Sequence, residues 1–296
     1  MALLSVNAPS IQWYPGHIAK AEKALSEALA KVDLVIEVRD ARIPLATGHP
    51  RLQRWISGKQ HLLVLNRRDM VPAAAQQLWS DWFRGQGQQV WWCDAKAGTG
   101  VKQLQQAAIR AGEALNERRR NRGMKPRPVR ALMLGFPNVG KSALINRLVR
   151  QKVVESARRA GVTRSLRWVR LGQDLDLLDA PGVLPPRLDD QQAALQLALC
   201  DDIGQAAYDN EAAALAFIQL LELLRAHGAA GVPEGLLEQR YGISLGALPS
   251  GAPDVESWLA AAAERHTSGD SLRMATKLLD DFRCSRLGPI ALELPG

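Results

Sequence analysis

Short apolar runs and longer runs with helical spacing take turns along the first part of the chain. Residues 32–38, 61–65, 89–93 and 129–134 are largely apolar and of strand length. Between them, residues 18–31, 73–85 (with Pro72 at the start) and 101–116 have helical composition, and 49–58 begins another helix. Residues 143–149 form one more helix. Residues 166–171 and 175–178 then flank Gly172-Gln173-Asp174 as a strand pair with a short turn. The alternation predicts a mostly parallel sheet covered on both faces. Past Pro185-Pro186 the pattern changes to Ala- and Leu-rich helical segments over 191–199, 211–226, 233–241, 255–266 and 271–282, with Asp254 as an N-cap. The expected organisation is an α/β domain over 1–185 and a small all-helical domain over 186–296.

Charge sharpens this division. The chain of 296 residues carries a net +8, yet residues 189–296 hold 7 Lys/Arg against 16 Asp/Glu. Residues 1–188 hold 31 against 14 and suit a polyanion, part of that charge serving a nucleotide's own phosphates. The stretch 117–128, with Arg118, Arg119, Arg120 and Arg122, reads either as a solvated basic linker or as an RNA-contacting arm. Cys93, Cys200 and Cys284 lie far apart without metal-site spacing, which points to reduced thiols. No apolar run is long enough to span a bilayer and residues 1–9 make a poor signal peptide, so a cytoplasmic protein without membrane attachment is expected.

The chemistry centres on Gly135-Phe136-Pro137-Asn138-Val139-Gly140-Lys141-Ser142. It meets the phosphate-loop pattern G-x-x-x-x-G-K-[ST] at every fixed position, between a strand and a helix. Backbone N–H groups of the turn, those of Asn138, Val139 and Gly140 among them, point inward at phosphate oxygens, and the helix adds its positive end. Lys141 is expected to reach the β- and γ-phosphates, and Ser142 to ligate Mg²⁺. Thr163, about twenty residues on, is a second candidate for Mg²⁺ and the γ-phosphate, in a segment that triphosphate would order. Asp179-Ala180-Pro181-Gly182 has the D-x-x-G form after a strand. There Asp179 would hold Mg²⁺ and the Gly182 N–H would sense the γ-phosphate.

Two further motifs concern the base. Asn66-Arg67-Arg68-Asp69 resembles the Asn-Lys-x-Asp motif of GTPases. Its Asp69 carboxylate can accept from guanine N1–H and N2–H₂ together, a pair that adenine lacks. Asn66 would tie loops together, and Arg67, where Lys is usual, can lie flat over a purine. Asp94-Ala95-Lys96 resembles the Ser-Ala-Lys motif, with the Ala95 N–H on guanine O6. These motifs precede the phosphate loop, a circular permutation of the usual order. Each ends its own strand, so all can converge.

Together with Gln12-Trp13-Tyr14-Pro15-Gly16-His17 and Asp40-Ala41-Arg42-Ile43-Pro44, this permuted set resembles the ribosome biogenesis GTPase A (YlqF-like) family over residues 11–185. The resemblance implies a circularly permuted P-loop GTPase with a small helical C-terminal domain. It implies GTP and GDP as ligands and the maturing large ribosomal subunit, rRNA and ribosomal proteins, as partner. With apolar Val183-Leu184 after the D-x-x-G motif, it also implies His17 as the residue that orients the attacking water. A structural or RNA-contacting His17 is the alternative. Asn138 matches an Asn associated with a K⁺ ion in related GTPases. Two other functions stay open: a nucleotide-gated RNA-binding module whose hydrolysis is incidental, and an ATPase of similar core. The eight tryptophans, Trp13, Trp55, Trp79, Trp82, Trp91, Trp92, Trp168 and Trp258, read as packing residues.

Overall fold

In the computed structural model, which describes Ile11 and residues 25–149, 167–180, 190–204 and 207–296, the run Leu34–Asp40 is strand β1. It is buried along nearly its whole length, as a central parallel strand should be. Its buried Glu37 is matched: it accepts from Arg39 Nε at 2.6 Å and lies 3.0 Å from His61 Nε2. Strands β2 (Gln60–Asn66), β3 (Val90–Cys93), β4 (Val129–Leu134), β5 (Arg167–Leu171) and β6 (Leu175–Asp179) complete a six-stranded sheet in the order β3-β2-β1-β4-β6-β5. All its pairings are parallel except that of β5, which lies antiparallel to β6 at one edge. Helices α1 (Leu52–Trp55), α2 (Ala73–Gly85), α3 (Val101–Ala111), α4 (Glu113–Asn121) and α5 (Lys141–Val149) connect the strands. On one face of the sheet, Val35, Leu132, Leu134 and Leu178 pack with Leu25, Leu29, Leu52 and Ile56.

From β1 the chain steps outward to β2 and β3, and β4 then returns to β1's other side. Strand order therefore reverses between β1 and β4. Loops at the carboxyl ends diverge there and leave a crevice, the place where open α/β sheets bind ligands.

Two elements differ from expectation. The helix read over 101–116 breaks at Gly112 (φ −89°, ψ −8°), where a Cβ would stand 1.8 Å from Val129 Cγ2, so only glycine fits. The chain resumes as α4, so residues 117–121 of the basic stretch are helix and not linker. Arginine is a good helix former, and Arg118, Arg119 and Arg120 fall in the last turn, where the helix dipole favours cations.

Two compact units emerge, one over the described residues within Tyr14–Arg68 and Ser80–Arg187, the other over those within Met1–Trp13, Asp69–Trp79 and Leu188–Gly296. The second is mostly helical: α6 (Gln191–Leu199), α7 (Asn210–Arg225), α8 (Leu236–Tyr241), α9 (Val255–Thr267) and α10 (Ser271–Arg283). Asp190, Asp209, Asp254 and Asp270 each accept a backbone N–H at the start of a helix. Part of the acidity of this region is thus structural. Phe217 and Phe282 meet with centroids 4.9 Å apart, and Trp79, fully buried, donates Nε1–H to Glu293 O at 3.1 Å. Trp168, by contrast, is 44% exposed on the edge strand, where β5 leaves an open flank, and does not serve as core. No helix among the described residues is long and apolar enough to cross a membrane. The three cysteines are free, and burial pushes the Cys93 thiol up to about 12.

Asp281 is the polar node of the helical unit. Its buried carboxylate accepts from Arg240 Nη2 (2.8 Å), Arg286 Nη1 (2.8 Å) and Tyr241 Oη (3.0 Å). Burial works to raise its pKa, but these donors outweigh burial and lower it. Its stabilising contribution is therefore present above the ordinary carboxylate range and lost as pH falls through the lowered value. Asp281→Ala should cost about 3 kcal/mol at neutral pH by leaving the donors unmatched. Urea denaturation reads this directly, and an unchanged midpoint would remove Asp281 from that role.

Candidate functional site

The phosphate loop joins β4 to α5 and is closed from within. Phe136 and Val139 are buried and anchor it. Lys141, itself buried, donates Nζ–H to Gly135 O at 3.1 Å and to Phe136 O at 2.6 Å. Asn138 takes left-handed backbone (φ 58°), a conformation asparagine tolerates. The first helical bond runs from the Leu144 N–H to Gly140 O at 2.9 Å.

Asn66, at the end of β2, is the strongest link between segments far apart in sequence. It is buried, and its Nδ2 donates to Val139 O at 2.9 Å while its Oδ1 accepts the Ala95 N–H at 3.1 Å. One amide thus fastens the phosphate loop to the loop after β3. Gly140 is required by this contact, since a Cβ there would lie 2.3 Å from Asn66 Nδ2. In the β3 loop, Asp94 Oδ1 accepts the Lys96 and Ala97 N–H groups at 2.7 and 3.0 Å. An acceptor is what a serine would supply at this position, so the Asp94 replacement preserves the turn. Arg147 on α5 donates to Ala97 O from the other side. Lys96 is exposed at the tip of this loop.

Arg67 does not lie free over the crevice. Its guanidinium binds the Asp40 carboxylate through Nη1 and Asn138 O through Nη2, the latter at 2.6 Å. Asp40, fully buried, also receives Arg42 through Nε (3.0 Å), Nη2 (2.7 Å) and the backbone N–H (2.9 Å). The geometric reason is register: Asp40 pairs with Asn66 across β1 and β2, so the next residue, Arg67, emerges beside it. A planar fork of donors can satisfy a carboxylate and a carbonyl together, which an ammonium does poorly. Burial tends to raise the Asp40 pKa, but Arg42 and Arg67 overcome it and hold it at about 2. This buried ion cluster is the feature that motif reading missed. The Asp-Ala-Arg run at a strand end was its one visible sign.

Asp69 stands exposed on the 3₁₀ turn Arg68–Met70, three residues past Asn66. Ser142 opens α5 beside Lys141. Asp179, buried, ends β6, where it pairs in register with Met133 of β4. A hydroxyl and a buried carboxylate at the mouths of neighbouring elements are the hard oxygen donors that Mg²⁺ takes. His17, Thr163 and Gly182 lie outside the described residues, as do Trp13, Arg158, Arg159 and Arg164.

Residues 130–222 match a family described as 50S ribosome-binding GTPase. The chain is 36% identical over 236 residues to ribosome biogenesis GTPase A of Priestia megaterium, covering 79% of each. It is 30% identical to its counterpart in Bacillus pumilus over 97% of this chain and 99% of the other. Among solved structures it resembles GNP-bound YlqF from T. maritima with a TM-score of 0.57 and 21% identity, covering 93% of this chain and 98% of that one, a likeness of fold.

Removing the Asp40 charge should expose the dependence of this cluster on it. Asp40→Asn takes the carboxylate charge from the buried Arg42 and the partly exposed Arg67 and should cost about 3 kcal/mol at pH 7 in urea denaturation. Because the folded pKa of about 2 lies below the ordinary 3.8, the wild-type advantage is full above that ordinary value and shrinks as pH falls toward 2. A penalty that stays constant across that window would show that the carboxylate's charge is not what matters.

Proposed function

The chain belongs to the ribosome biogenesis GTPase A family, and we propose that it works as a nucleotide switch on the maturing large ribosomal subunit. It is a circularly permuted P-loop GTPase. The observation that carries the site assignment is the Asn66 side chain, bonded at once to the phosphate loop and to the Ala95 loop. Base-reading and phosphate-reading segments that lie 29 and 73 residues from Asn66 in sequence are thereby held to one residue.

In this reading GTP enters with its phosphates over the loop 135–142. Lys141 exchanges two loop carbonyls for β- and γ-phosphate oxygens, a trade of neutral acceptors for charged ones. The Asn138, Val139 and Gly140 N–H groups and the start of α5 complete the cradle. Asp69 accepts guanine N1–H and N2–H₂. The Ala95 N–H turns from Asn66 Oδ1 to guanine O6, and Lys96 flanks the base. Arg67 serves as a strut between Asp40 and Asn138, fixing the loop and not covering the purine. Ser142, Asp179 and Thr163 would hold Mg²⁺, which when bound neutralises charge on the β- and γ-phosphates. Asn138 would contact a K⁺ ion, as its match to related GTPases implies. His17 orients and deprotonates the attacking water. Thr163 and Gly182 sense the γ-phosphate and release their segments on its loss, which the ribosomal partner reads. The protein acts in the cytoplasm.

Two measurements test this. The first is the GTP hydrolysis rate with and without large ribosomal subunits in potassium buffer. Subunits should raise it about tenfold or more, and His17→Ala should lower the stimulated rate by about 100-fold. An unstimulated wild type would remove the ribosomal partner, and a fully active His17→Ala would remove that residue from catalysis. The second concerns the base. Asp69→Asn should weaken GTP binding by about 100-fold and favour xanthine nucleotides, whose C2 carbonyl accepts from the new amide. Equal affinities of the unaltered protein for GTP and ATP would overturn the assignment of Asp69.

A further inference from the structure

The basic segment between α4 and β4 is a built feature. Asn116 grips both backbone groups of Arg127, donating Nδ2–H to its carbonyl at 3.0 Å and accepting its N–H at 3.1 Å. Arg119 donates Nε–H to Lys125 O at 3.1 Å, and the Met124 N–H returns to Arg119 O at 2.9 Å. Arg127 in turn makes two hydrogen bonds to Asp33, at 2.7 and 2.8 Å. Residues 113–128 are therefore folded back on themselves and pinned to the start of β1. On this frame Arg118, Arg120, Arg122 and Lys125 are exposed, and none has an acidic partner among the described residues. Helix α4 buries none of its residues, so packing does not explain it. Like charges this close oppose helix formation, a cost that the helix dipole and the bonds of Asn116 and Arg119 offset.

Location separates these cations from the nucleotide. The connector enters β4 at Val129, and the phosphate loop leaves it past Leu134. A six-residue strand spans about 20 Å, more than twice the screening length of about 8 Å at physiological salt. The four charges do not serve the nucleotide's phosphates.

We propose that the end of α4 and its connector form a second anion-binding surface, which inserts into a phosphate-walled groove of structured RNA. Arg118 and Arg122 lie four residues apart on one side of the helix, while Arg120, about 200° round the axis from Arg118, faces the other. A helix end with exposed cations on two sides fits a concave partner charged on both walls. A flat acidic protein face would leave one side unused. Three of the four cations are arginines, whose forked donors match phosphate oxygens, and the pinned connector lowers the ordering entropy lost on binding. Binding of this kind reads shape and charge, not base sequence. The proposal does not rest on the switch reading above.

The test uses the full chain and a plain RNA duplex of about 16 base pairs, with affinity measured across a KCl series and GTP affinity measured in parallel. In the variant Arg118→Gln/Arg120→Gln/Arg122→Gln, the slope of log K against log salt should fall by about 2–3, since each lost phosphate contact removes about 0.9. RNA affinity at physiological salt should drop more than about tenfold, with GTP affinity unchanged. The lysine counterpart, Arg118→Lys/Arg120→Lys/Arg122→Lys, keeps the charges and should keep the slope. Equal slopes for wild type and the glutamine variant would overturn the proposal. So would poly-glutamate competing as well as RNA of equal charge, which would point to an acidic protein partner, and so would loss of slope in the lysine variant.

Discussion

One side-chain amide holds the candidate site together. Asn66 is buried at the end of β2 and has a donor and an acceptor, and both are engaged across loops that no stretch of local sequence connects. The polarity of the amide matters as much as its size. An aspartate in its place would turn a carboxylate oxygen toward the Val139 carbonyl, setting two acceptors against each other in a dry site. Gly140 is tied to the same contact, because only a residue without Cβ leaves room for the Asn66 amide. The glycine of the phosphate loop thus answers to the base-side motif as well as to the nucleotide.

That dependence explains why the motifs tolerate permutation. In a parallel sheet every strand delivers its following loop to the same edge, whatever the order in which the chain visits the strands. Here β1, β2 and β3 are laid down before β4, and the reversal between β1 and β4 still opens the crevice at their carboxyl ends. What must be conserved physically is the set of cross-loop bonds. Chain order can vary provided strand adjacency survives.

Much of the fold was legible because it is local. The limits of α2, β4 and α6 follow from apolar spacing, with Pro72 at the start of α2. The phosphate loop, the permutation and the pairing of β5 with β6 were equally plain. Features that depend on distant partners were not. Nothing near Arg67 announces that Asp40 will neutralise it, since the two meet only through strand register. Nor does any change in composition mark residues 69–79, which group with the helical unit. The run of arginines after Glu117 left a solvated linker and an RNA-contacting arm equally open, and its order depends on helix propensity and on the bonds of Asn116 and Arg119. Trp168 escaped for a related reason: aromatic character does not reveal that its strand lies at an edge.

The Asp40 cluster carries two guanidinium groups for one carboxylate. With Asp40 ionised throughout the physiological range, both guanidinium groups are held to it, Arg42 buried and Arg67 reaching on to the Asn138 carbonyl of the phosphate loop. Neither can swing away freely, because Arg42 is enclosed and Arg67 is bonded at both ends. The loop backbone at Asn138 is thus tied to the end of β1 before any ligand arrives. The cost of ordering that part of the cradle is met in folding and not at capture.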